Sequence, residues 1–204
     1  MARRFFDPEG LVWKPLGFIG DLVMLSLLWF LCSVPLVTLG AATAALYDTA
    51  VHVMRRGETA IFARFFGTLR RELKEGILLT LLWAGIALGQ WLILYGLTRL
   101  IPAAQGTAVS LIEMLLIFLF LAAASWVFPT LSRFTMGVGA LSSVCLRLAP
   151  GNALRSAALA LLNALLIAAC LRFILPLMFA PALVAYLSSF LIEPVFERYE
   201  TTAE

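Results

Sequence analysis

The chain has 204 residues, of which 62% are hydrophobic and 13% charged, with a net charge of +3. Soluble domains average roughly 45–50% apolar and about 25% charged residues, so these proportions exclude a water-soluble globular fold. The basic residues lie between apolar runs rather than on one face, which is the pattern of membrane loops, and nucleic acid is not an expected partner.

Residues 1–15 form a short polar head with Arg3, Arg4 and Lys14 beside the interfacial residue types Phe5, Phe6 and Trp13. The apolar region after it starts late and is bordered by Asp21, and further apolar runs follow, which argues against a cleaved signal peptide. Apolar runs long enough to cross a bilayer as helices are expected at 16–34, 36–54, 76–97, 107–128, 153–171 and 173–192. Pro129 is expected to end the fourth. Between the second and third, Phe62, Phe65, Phe66, Leu69 and Leu73 recur at intervals of three and four. Arginines and acidic residues fill the rest, predicting an amphipathic helix over about 59–75 in the interface plane. Residues 129–152 read as a mixed loop, and the tail after Glu193 as short and acidic.

Pro35 decides the topology. Proline lacks an N–H and its ring clashes with the preceding turn, so Pro35 marks either a hairpin turn or a kink. As a turn it gives six spans with both ends inside and thirteen of the fifteen bases inside; as a kink it gives five spans and only ten. The positive-inside rule therefore prefers six. The expected fold is an all-α polytopic transmembrane bundle, a single membrane domain over 1–204, with one interfacial helix.

The run Gly40, Ala41, Ala42, Thr43, Ala44, Ala45 leaves little bulk, so another backbone can approach. Gly85 and Gly89 form a GxxxG pattern that fits either an internal helix contact or a homo-oligomer. Ionisable groups inside a membrane cost on the order of 2.5–3.5 kcal/mol each at the helix centre, which makes them functional candidates. Asp21 and Asp48 lie at similar depth on adjacent spans. They could face each other as a proton or cation site, or pair with Lys14, His52 or Arg55. Glu113 is expected to pair with Arg172 or Arg99. Gln90 and Asn163 are mid-span amides expected to hydrogen-bond between helices. His52 is the only histidine. Cys32, Cys145 and Cys170 read as buried hydrophobes without disulfide or metal. No GxSxG, Walker A, HExxH or dinucleotide fingerprint occurs, so neither catalytic residues nor a cofactor is expected.

The amino-terminal quarter resembles the YesL family of bacterial membrane proteins. The resemblance rests on Phe5, Phe6, Gly10, Asp21, Leu27, Leu28 and Trp29, then on Pro35, Thr38, Gly40 to Ala45 and Tyr47, with Phe62 to Lys74 similar to the family's aromatic and basic loop. Ser26 departs from it, since members commonly carry Asn there. The resemblance implies a multi-pass protein of the bacterial cytoplasmic membrane, accessory to carbohydrate uptake of the ABC type, with sugar-transporter subunits and the bilayer as partners. A carrier or channel in its own right is the second reading, and a membrane-embedded enzyme the third.

Overall fold

The computed structural model describes residues 13–100, 107–172 and 178–203. The described residues are helical throughout, with no strand among them. Residues 1–12 of the head read at 1–15 lie outside them, as do residues 101–106 and the first five residues of the run read at 173–192.

The first helix, α1 (Trp13–Ser33), ends where Ser33, Val34 and Pro35 turn the chain. Pro35 has φ −77° and ψ 99°, an extended residue that cannot continue a helix. A single 3-10 turn (Leu36–Thr38) follows, then α2 (Leu39–Thr49). The Thr38 hydroxyl and amide close this corner. The hydroxyl reaches the Cys32 carbonyl at 2.6 Å and the Pro35 carbonyl at 2.7 Å, and the amide N–H donates to Pro35 O at 2.8 Å. Trp29 Nε1 then donates to Thr43 Oγ1 at 3.1 Å across the two helices. Pro35 is thus the turn of a helical hairpin, not a kink in one helix.

α2 runs on without a break into a π-helical segment (Ala50–Arg55), where Arg56 N–H donates to Val51 O, five residues back, at 3.2 Å. Gly57, at φ +77°, reverses the chain into α3 (Ile61–Arg71). α4 (Leu73–Leu100), α5 (Thr107–Arg133), α6 (Val138–Gly151), α7 (Ala153–Arg172) and α8 (Ala180–Ala203) complete the order. Five segments among the described residues are long and apolar enough to cross a membrane: Leu36–Arg55, Leu73–Gly96, Leu111–Arg133, Ala153–Arg172 and Ala180–Tyr199. The described apolar part of α1, Gly17–Ser33, is shorter.

α2 is the axis of the bundle, with Ala41, Ala42, Ala44 and Ala45 entirely buried. It packs against α1, α3, α4, α5 and α8. Small side chains are what let so many neighbours reach one helix. The closest approach is to α4. A Cβ on Gly40 would meet Thr80 Oγ1, and would lie 2.6 Å from the Gly76 carbonyl oxygen and from Phe128. A Cβ on Gly76 would lie 2.6 Å from Ala41 N. Gly40 N–H donates to Thr80 Oγ1 at 3.0 Å through this contact.

Of the two readings of the Gly85 and Gly89 GxxxG, the internal contact is not made, since nothing lies within 4 Å of a Cβ at either. The close crossing lies between Gly40, in the run of small residues on α2, and Gly76 of α4. Two expectations are corrected here. Pro129 does not end a helix: α5 continues to Arg133, and the neighbouring Thr130 hydroxyl bonds the Trp126 carbonyl at 2.6 Å. Membrane helices tolerate proline when nearby hydroxyls satisfy the loosened backbone. Residues 138–151 are not loop but α6, whose Leu141, Cys145 and Leu148 recur on one buried face.

Candidate functional site

The site is assembled where α2 passes into the π segment. Asp48 and His52 stand four residues apart on that element, and Arg64 and Thr68 four apart on α3. Residues at this spacing share a helix face, and the two pairs meet. Arg64 Nε donates to Asp48 Oδ2 at 2.8 Å and Arg64 Nη2 to Asp48 Oδ1 at 3.3 Å. The Thr68 hydroxyl donates to Asp48 Oδ2 at 2.7 Å. Phe65, fully buried between Arg64 and Thr68 in sequence, fixes the same face of α3 against the bundle.

His52 joins this pair to a second cluster. Its Nε2 lies 2.7 Å from Arg64 Nη2 and 3.3 Å from Arg56 Nη1, and its Nδ1 lies 2.9 Å from the Asp48 carbonyl oxygen. Guanidinium nitrogens only donate, so Nε2 is the acceptor and the proton sits on Nδ1, donated to Asp48 O. Arg56 continues to Glu193 of α8, at 4.0 Å. Glu193 is 2% exposed. It accepts the Tyr47 hydroxyl at 3.3 Å and pairs with Arg133, at the end of α5, at 3.7 Å.

The result is a connected ion cluster that spans four elements. Asp48 and Glu193 are its buried anions, Arg56, Arg64 and Arg133 its cations, and His52 the link. Glu58 adds an outer contact to Arg64 at 3.6 Å. Arg55 anchors the rim separately, donating to Ser189 O at 3.1 Å and covering the Phe190 ring at 5.0 Å. Hydrogen bonding to Asp48 holds the Arg64 guanidinium above its usual range. A buried anion is tolerable only when paired and hydrogen-bonded, and both anions here are.

Beside the cluster lies a cavity of about 440 Å³ between α1, α2, α5, α7 and α8, reaching Tyr47 at one wall and Asn163 at another. Its volume is in the range of ligand sites, roughly 300–1,000 Å³. Asn163 Nδ2 donates to Ser125 Oγ across it at 3.0 Å, an interhelical bond as expected.

The other candidates fare differently. Asp21 takes no part in the Asp48 cluster and forms no ion pair or hydrogen bond among the described residues. Asp48 pairs with Arg64 of the amphipathic helix, which closes over it, rather than with Asp21 across the hairpin. Glu113 and Arg172 form no ion pair among the described residues, and the apolar residues around Glu113, from Leu111 to Leu119, are exposed; the Arg99 side chain lies outside the described ones. Gln90 does not bond across helices: its Nε2 is buried without a partner among the described residues. Ser26 accepts Ala182 N–H at 3.2 Å, so the shorter side chain still ties α1 to the first turn of α8.

The sequence reading gives Glu193 no role and sets an acidic tail after it, where α8 in fact continues to Ala203. The apolar residues after it, Val195 and Phe196, both buried, were the signal that the helix face continues past it. Its partners Tyr47, Arg56 and Arg133 are too distant in the sequence for periodicity to reveal. Among the described residues, no three His, Cys, Asp or Glu side chains come together to hold a metal ion. The three cysteines are free.

Fold and site together define a helical membrane protein organised on a cluster of ion pairs around two buried carboxylates. A family model described as "Protein of unknown function, DUF624" matches residues 22–95. That segment runs from α1 to α4 and contains Asp48, His52, Arg64 and Thr68. No curated protein and no solved structure matches the chain.

Proposed function

We propose that this protein is a non-enzymatic accessory or regulatory component linked to carbohydrate uptake of the ABC type, working through a partner rather than by moving solute itself. The observation that carries this reading is the way α3 is held. Its inner face is fixed by Arg64, Phe65 and Thr68, while Phe62 and Phe66, 51% and 39% exposed, project outward with Arg70 beside them. A rigid helix presenting aromatic and basic side chains suits docking of another polypeptide, with little ordering left to do on binding. The YesL resemblance supports the link to sugar importers and a bacterial cytoplasmic membrane, and the charge distribution supports six spans with both termini on the cytoplasmic side.

Photo-crosslinkers at positions 62 and 66 in native membranes test this reading. Capture of an importer subunit is the expected result. Adducts confined to lipid, with no transporter subunit recovered, overturn it.

The cavity favours a second reading, that of a small carrier. Purified protein in liposomes separates the two, since solute-specific flux with no other component present rules out a purely accessory role.

A further inference from the structure

The hydrogen-bond donors around the cavity are nearly all engaged inside the protein. Six side chains bearing N–H or O–H groups line it: Trp29, Thr43, Tyr47, Ser125, Asn163 and Ser188. Trp29 donates to Thr43, and Thr43 to the Leu39 carbonyl at 2.7 Å. Tyr47 donates to Glu193 and Ser125 to the Leu121 carbonyl at 2.6 Å. Asn163 donates both to Ser125 and to the Leu159 carbonyl at 2.9 Å. Of the six, Ser188 alone makes no hydrogen bond among the described residues. No charged side chain lines the space, and its remaining walls are apolar.

This arrangement selects against polyhydroxylated solutes. Each hydroxyl buried here without a partner costs about 1–3 kcal/mol, and a sugar carries several. A hydrocarbon chain incurs no such cost and gains dispersion contacts with every wall. The route in is short. Ile167 on the α7 wall is 49% exposed, and Leu161 and Leu165 on the same helix are more exposed still. The α7 wall therefore joins the cavity to an apolar outer face of the bundle.

We propose that the cavity binds one acyl chain of a bilayer phospholipid, with the Ser188 hydroxyl free for a single polar group on it. This assignment is independent of the accessory role: it concerns the bundle interior and not the α3 face. It also means that any sugar specificity of the associated transport does not originate in this cavity.

The test uses the full chain in nanodiscs of phosphatidylethanolamine and phosphatidylglycerol, doped with a phospholipid carrying a diazirine along its acyl chain. Adducts are mapped by mass spectrometry. Adducts at Tyr47, Ala185 and Ser188 are expected, alongside those on outward residues such as Leu82 and Trp91. Ala124→Leu and Ala185→Leu fill the cavity from opposite walls. Either should lower the interior adducts about tenfold while leaving the adducts at Leu82 and Trp91 unchanged, which also reports an intact, inserted bundle. Wild-type adducts restricted to outward faces overturn the proposal, as does loss of the interior adducts on adding glucose or maltose.

Discussion

Arg64 grips both oxygens of Asp48, through Nε at 2.8 Å and Nη2 at 3.3 Å, and so fastens the amphipathic helix α3 to the axial helix α2. Breaking a buried pair from one side leaves an uncompensated charge and costs about 3–5 kcal/mol. Arg64 is partly exposed, so R64A should fall at or below the lower end of that range, and Asp48→Ala should cost at least as much. The double variant should cost less than the two singles added together. Thermal melts of the four purified proteins measure this coupling, and simple additivity would show that the pair is not a unit.

The same contact predicts a flat pH response on its basic side. Hydrogen bonding to Asp48 holds Arg64 above its ordinary range. A group raised in the folded state contributes fully below its unfolded value and loses that contribution only as pH rises through the folded one. Stability lost in R64A should therefore be the same at neutral and mildly alkaline pH. A gap that narrows over that interval would place the stabilising group elsewhere.

The glycines divide into two classes. Gly40→Ala and Gly76→Ala drive a methyl into backbone atoms of the facing helix, which cannot swing aside. Each should destabilise by about 1–3 kcal/mol. Gly85→Ala and Gly89→Ala meet nothing within 4 Å. These should be neutral or slightly stabilising, since alanine loses less backbone entropy in a helix. Detergent melts of the four variants rank them, and a large loss at Gly85 or Gly89 would point to a self-association face.

Glu193 should tolerate neutralisation poorly. Glu193→Gln keeps the shape but removes the carboxylate charge that Arg56 and Arg133 both face. Tyr47→Phe removes one hydrogen bond, worth about 0.5–1.5 kcal/mol. Glu193→Gln should therefore lower the melting temperature more than Tyr47→Phe. The reverse order would mean that the hydroxyl, not the charge, holds α8 in place.

The hairpin at Pro35 and the reversal at Gly57 should face opposite sides of the membrane. In a cysteine-free background, Val34→Cys should react with an impermeant thiol reagent from outside, and Glu58→Cys only after permeabilisation. Labelling of both from one side would remove the span between them.

The apolar runs made the helices legible, because each residue added to a span changes hydropathy in the same direction. Asp48 stood out as a charge inside such a run. Its partner did not, since Arg64 reads equally well as a lipid-facing base until α3 folds back over α2. Pattern reading marks two places for close approach, the small residues Gly40 to Ala45 and the GxxxG of Gly85 and Gly89, because both are local motifs. Which side of a helix meets a neighbour is a tertiary fact, and here it is Gly76, at the end of its run, that faces Ala41. Glu193 was missed for the same reason: the bundle, not the run of residues around it, supplies its counter-charges.

The π segment at Ala50–Arg55 has its own consequence. It sets the rotational phase of everything downstream of α2. A π turn takes up one residue more than an α turn, and each residue of an α-helix turns the chain by about 100°, so winding these same six residues as a regular α-helix would swing Arg55 and Arg56 around the axis. Neither would then aim at α8, although every residue that contacts them would still be present. Two helices of unaltered composition would be out of register by a single amino acid.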